Sequence, residues 1–166
     1  MDLAISTKAN ADYNAFVTGL LCEINKEYFI YIWPNLINKR MTFQEILDNL
    51  KSLFDSMEAL YDYVTIIVEN NGFQEALVQA LDGMGIDCKG IRSSADKRCR
   101  LMTISNYVQI KKVLFPKQGA EQLINQLVNF GAEKHDDLSD AFSIMMHEIS
   151  ERINEPKPNI FFIEDL

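Results

Sequence analysis

Cysteine is scarce in this sequence: there are three in 166 residues, Cys22, Cys88 and Cys99. They are odd in number, far apart and never in a C-x-x-C pair. That pattern argues against both a disulfide framework and a cysteine-built zinc site. A reducing, cytosolic setting is the simple expectation. No apolar run reaches the roughly 18–20 residues of a membrane span. The opening "MDLAIST" lacks the basic start of a secretory signal. Repeats, low-complexity tracts and an interdomain linker are missing too, so the chain reads as one domain of ordinary size. With 48% hydrophobic residues it can build a core without staples.

Positive charge is also short. The net charge is −8, which argues against a simple nucleic-acid coat protein. The distribution says more. From Lys89 to Lys117 there are eight basic residues (Lys89, Arg92, Lys97, Arg98, Arg100, Lys111, Lys112, Lys117) and one acid, Asp96, a net +7 between acidic flanks. Such a segment can present one face to a polyanion, or it can be an ordinary solvated face.

Periodicity sketches the elements. "DLAIS" from Asp2 alternates like a strand. "YNAFVTGLLCEI" and "EYFIYIWP" are β-rich runs joined by "NK", a hairpin signal. Together they predict a three-stranded antiparallel meander. "TFQEILDNLKSLFDSMEAL" switches to helical period, and Thr42 with Glu45 has capping-box spacing. "YVTIIVE" is a β-branched strand, expected to run parallel to the first. "FQEALVQALDGMG" is a helix ended by glycine, and "DCKGI" is a short strand. A helix over 96–108, a strand "KVLFP", a helix "GAEQLINQLVNF" and a long final helix from "HDDLSDAF" complete the order. A mixed sheet flanked by helices, an α/β layer fold, is the expected class. The domain is expected over 1–152, with 153–166, which holds two of the four prolines, as an extended tail.

The acids fall where such folds gather ligands. Asp2 lies on the first strand, Glu69 ends "YVTIIVE", and Asp136, Asp137 and Asp140 open the last helix. The spacings of three and four put those three aspartates on one helix face, and strand ends are the usual binding edge of an α/β sheet. If they converge, like charges at contact distance need a counter-charge. Oxygen-only ligands suit Mg²⁺ or Mn²⁺, and two such ions about 3.5–4 Å apart clamp the attacking and leaving oxygens of a phosphodiester. The plainer account is that acids in a first turn favour the helix dipole and that Asp is a good N-cap. It covers one or two of the three aspartates. It fits Asp140 less well, because Asp140 sits further in, beside Ala141 and Phe142.

The ordered set "DLAISTKANADYNAF", "VEN", "KRCR", "VLFP" and "HDDLSDAF" resembles the RNase H-like nuclease domain of phage large terminase subunits, over nearly the whole chain. The resemblance implies a mixed central sheet with helices on both sides and metal-dependent endonucleolytic cutting of concatemeric viral DNA during packaging. It implies Asp2 as first-strand metal ligand, Glu69 as second acid and Asp137 as the acid of the last helix, with Asp136 able to take that role. Asp140 fits the D-x-x-D spacing of related resolvases. His135 and Asp12 are accessory candidates, for positioning water or substrate and for shaping a turn. Lys97, Arg98 and Arg100, with Lys111 and Lys112, are the candidates for DNA phosphate contacts. One or two Mg²⁺ or Mn²⁺ ions would be the cofactor. The partners implied are double-stranded DNA, the terminase ATPase domain, the small terminase subunit and the portal, in the cytoplasm of the bacterial host and without a membrane.

Large terminases carry an upstream ATPase motor with a G-x-x-x-x-G-K-[ST] loop. This sequence has no such motif, so no ATP site is expected, and the chain looks like an excised domain or a short reading frame. Two rivals remain open: a stand-alone resolvase of the same fold acting on branched DNA, and a non-catalytic interaction module whose tail "NIFFIEDL" docks a partner.

Overall fold

The computed structural model describes residues 13–69, 74–91, 97–129 and 136–154. The expected first strand at Asp2 and the tail beyond Asn154 lie outside the described residues. The chain is a mixed α/β fold with antiparallel and parallel strands and flanking helices, as expected. Strand β1 (Asn14–Phe16) pairs antiparallel with β4 (Ile37–Lys39). Strands β2 (Gly19–Ile24) and β3 (Glu27–Ile32) form an antiparallel hairpin, and β3 pairs in parallel with β7 (Val113–Leu114). Strand β5 (Ile66–Glu69) pairs in parallel with β6 (Cys88–Ile91).

The hairpin follows from its turn. Ile24 is in register with Glu27, which leaves a two-residue loop. Asn25 and Lys26 have φ of 52° and 65°, the left-handed pair of a type I′ turn that matches strand twist. The run expected as one strand over "YNAFVTGLLCEI" is two, parted at Val17 and Thr18, because its halves serve different partners. Strand β4 was not foreseen. Three residues, "INK", carry no periodic signal, and their pairing with β1 is a tertiary choice.

The helices are α1 (Phe43–Glu58), α2 (Gln74–Gly83), α3 (Lys97–Gln109), α4 (Glu121–Val128) and α5 (Asp137–Asn154). The capping box of α1 is complete: Glu45 N–H donates to Thr42 Oγ1 at 3.3 Å, and Thr42 N–H donates to Glu45 Oε2 at 2.7 Å. Helix α2 ends in a Schellman motif, with Ile86 N–H on the Leu81 carbonyl, Gly85 N–H on that of Asp82, and Gly85 at φ 74°. Helix α3 ends the same way, through Lys112 N–H to Tyr107 and Lys111 N–H to Val108. There the left-handed position, φ 59°, is held by Lys111 instead of glycine.

Ala15 and Phe16 are neighbours on β1, so strand alternation sends them to opposite faces. Ala15 joins a core with Ile30, Ile104, Leu123, Leu138 and Phe142. Phe16 joins another with Leu50, Phe54, Val68, Leu77 and Leu81. Among the described residues the strands form three ladders, β1–β4, β2–β3–β7 and β5–β6, in a layer with α3, α4 and α5 on one face and α1 and α2 on the other. Gly19 lets α5 approach β2 closely: a Cβ there would stand 2.6 Å from Met145 Sδ. Among the described residues, no helix is long and apolar enough to cross a membrane.

Candidate active site

The front of α5 is where the sequence concentrates its acids. Asp136 directly precedes the helix, Asp137 is its first residue and Asp140 lies one turn in. The chain enters the helix with Asp140 N–H on the Asp136 carbonyl at 3.1 Å. Asp137 is buried, at 6% exposure, while Asp136 and Asp140 are half-buried. An N-cap side chain normally accepts from the second or third helical amide. Here those amides, Leu138 N–H and Ser139 N–H, donate to Gln126 Oε1 of α4 at 2.9 and 3.2 Å. A buried amide from the preceding helix thus caps α5, a task the sequence pattern assigns to its aspartates.

Glu69 is the last residue of β5 and half-buried. Its orientation follows from alternation. Val68 joins the core shared with α1 and α2, so Ile67 and Glu69 face the other side. That side belongs to α5. Lys89, in register with Ile67, donates to Glu148 of α5 at 2.8 Å. Helix α5 also packs directly on β1 and β5.

Glu148 anchors that contact. It is 4% exposed, yet its Oε1 accepts from both Lys89 Nζ at 2.8 Å and Arg152 Nε at 3.0 Å. Burial would raise its pKa. The hydrogen bonds and charges of Lys89 and Arg152 outweigh burial and hold the carboxyl below the usual range. Glu148 lies about 16 Å along the helix from Asp137, beside a cavity of about 360 Å³ lined by Thr65, Ile66, Ile67, Met145, Ile149 and Arg152, among others.

The other sequence-predicted residues divide plainly. Asp2, Asp12 and His135 lie outside the described residues. Lys97, Arg98 and Arg100 fall in the first turn of α3, and their side chains lie outside as well. Lys111 is exposed at the end of α3. Lys112 is tied down, with Nζ 3.0 Å from Glu27 Oε2 and 4.3 Å from the centre of the Phe29 ring. Of the basic segment, Lys89 and Lys112 therefore pair within the domain. Cys22 and Cys88 are free thiols. Burial and the neighbouring Asp87 carboxylate push Cys88 up to about 11, so it is a poor nucleophile. Among the described residues, no group of three or more His, Cys, Asp or Glu could hold a metal ion. The sequence reading missed Gln126. Its only signal was a polar residue three after Leu123, on the buried face of α4.

No protein-family model matches the chain, and no curated protein matches it in sequence. Solved structures do. A crystal structure of the large terminase nuclease from thermophilic phage G20c with bound zinc is 17% identical, covers 80% of this chain and 82% of its own, and superposes with a TM-score of 0.53. The large terminase nuclease domain of Thermus phage P74-26 is 12% identical over 80% and 77% of the two chains, with a TM-score of 0.51. The chain has the fold of a large terminase nuclease. At these identities the likeness is one of fold, and it meets the expectation of an RNase H-like α/β class.

Proposed function

We propose that this chain is a divalent-metal-dependent DNA endonuclease domain of the large-terminase kind, in which Asp2, Glu69 and Asp137, with Asp136 or Asp140, hold one or two ions. The observation that carries the reading is Asp137, a buried carboxylate at the start of a helix that Gln126 already caps. Three further observations support it. Glu69 faces the α5 side of the sheet. Thr65, Ile66 and Ile67 line a cavity with Met145, Ile149 and Arg152 of α5, and the reading has Glu69, at the far end of β5, meet Asp137 and Asp140 at the far end of α5. The fold is that of two phage enzymes, one of them with bound zinc.

The donor set fits the ion. Every candidate ligand is a carboxylate, and oxygen donors suit Mg²⁺ or Mn²⁺. When bound, such ions supply neutralising charge and activate water for attack on a phosphodiester. The protein's residues do the rest. Asp137, fixed by its helix, and Glu69, fixed by its strand, offer oxygens from two rigid elements. Asp140 adds charge from the next turn. Lys97, Arg98, Arg100 and Lys111 would neutralise DNA phosphates without reading sequence. His135 and Asp12 remain accessory candidates. The terminase ATPase domain, small subunit and portal are the partners this reading implies.

The test is nicking and linearisation of supercoiled plasmid with Mn²⁺, Mg²⁺ or EDTA, beside Asp137→Asn and Glu69→Gln. Metal-dependent cutting that falls at least a hundredfold in both variants is expected. Cutting that survives in both would sink the assignment. A four-way junction cut in preference to linear duplex would move it to the resolvase reading.

A further inference from the structure

We infer that Gln126 is a positioning residue for the proposed metal site: it fixes the first turn of α5, and with it the carboxylates of Asp137 and Asp140, from the preceding helix. This inference rests on the nuclease reading and deepens it. Gln126 is 4% exposed, and one oxygen accepts from two successive amides, Leu138 N–H at 2.9 Å and Ser139 N–H at 3.2 Å. Those amides directly follow Asp137 and directly precede Asp140.

The chemistry favours a neutral acceptor at this point. A helix start offers unsatisfied N–H groups that need an acceptor. An aspartate or glutamate can serve, but it would spend a carboxylate on the backbone and bring another negative charge beside Asp137. The uncharged carbonyl of a glutamine satisfies the same amides and leaves the acids for other work. The hold is also long-range: it spans twelve residues and comes from the buried face of α4. The start of α5 is therefore registered against α4. Groups that orient ligands from behind are worth tenfold to a hundredfold in metal affinity when removed.

The experiment is Mn²⁺ binding by the full chain, read by calorimetry or by electron paramagnetic resonance, for wild type, Gln126→Leu, Gln126→Asn, Gln126→Glu and Asp137→Asn. Each apo variant's melting temperature and the hydrogen exchange of the Leu138 and Ser139 amides are measured alongside. Gln126→Leu is expected to bind Mn²⁺ at least tenfold more weakly while still folded, with both amides exchanging faster. Gln126→Glu keeps the acceptor at the same reach, so both amides are expected to exchange as slowly as in wild type. Should Gln126→Leu fail to fold, Gln126→Asn decides, because it keeps the polar group but falls short of the amides. Wild-type Mn²⁺ affinity in a folded Gln126→Leu or Gln126→Asn, with binding lost in Asp137→Asn, overturns the positioning role alone. Binding that is absent in wild type, or unchanged in Asp137→Asn, overturns the nuclease reading and the positioning role with it.

Discussion

The ion triad of Lys89, Glu148 and Arg152 predicts an asymmetry. Glu148 is 4% exposed, whereas its cations are about half exposed, at 51% and 46%. Removing the carboxylate leaves two cations that water can solvate. Removing both cations leaves a largely buried carboxylate with no counter-charge. Charge-assisted hydrogen bonds contribute about 1.5–3 kcal/mol each, and half-exposed partners reduce that to about 1. Glu148→Gln, which keeps an acceptor, is therefore expected to cost about 1 kcal/mol. The Lys89→Met/Arg152→Met pair strands a buried charge and is expected to cost about 3 kcal/mol. For a chain of this length that is a drop of roughly 6–12 °C in melting temperature.

The pH dependence carries the sign. In wild type the Glu148 pKa is lowered in the fold. Its contribution is thus complete above the unfolded value of about 4.3 and is lost as pH falls through the folded value. In the double variant only burial acts, so the folded pKa rises above the unfolded one. The penalty is then largest near neutral pH and fades as acid neutralises the group. Urea unfolding followed by Trp33 fluorescence, from about pH 4 to pH 7, is expected to show wild type and double variant converging toward the acid end. A gap that stays constant across this range, or a double variant as stable as wild type at neutral pH, would refute the reasoning.

Two further perturbations test the backbone. The two Schellman motifs make a matched pair. Lys111→Gly removes a strained left-handed lysine and is expected to raise stability by about 0.5–1 kcal/mol, whereas Gly85→Ala, with open space around its Cβ, is expected to lower it by about 1, both by urea titration. Gly19→Ala pushes a methyl into Met145 and is expected to cost about 1 kcal/mol. Met145→Ala is expected to cost less in that background than in wild type, a coupling that a double-mutant cycle measures.

What could be read from the sequence was local. Thr42 and Glu45 announce the start of α1 because both halves of the capping box lie within four residues. Asn25-Lys26 marks the hairpin, and Gly85 the end of α2, for the same reason: the deciding dihedral belongs to the marked residue. Glu69 and Asp137 stood out because acids at the end of an apolar strand and at the start of an apolar helix break the pattern. What could not be read was relational. The division of "YNAFVTGLLCEI" into β1 and β2 depends on β4 and β3 arriving as separate partners. Lys89 and Lys112 read as free surface charge because their acids, Glu148 and Glu27, lie 59 and 85 residues away. Gln126 is a cap only because α4 packs against α5, and no spacing rule reaches across that distance.

That last relation bears on the acids themselves. An acid in the first turn gains about 0.3–1 kcal/mol from the helix dipole at an exposed site. Taking a carboxylate out of water costs several kcal/mol. Helix stabilisation alone is therefore too small a term to account for Asp137 at 6% exposure. Capping is no better an account, since Leu138 and Ser139 already give their amides to Gln126. On the proposed reading a divalent cation would share that burial, and its charge would offset part of the desolvation cost. Glu69 enters from the strand side: it is the last residue of β5, half-buried, and by alternation it faces α5.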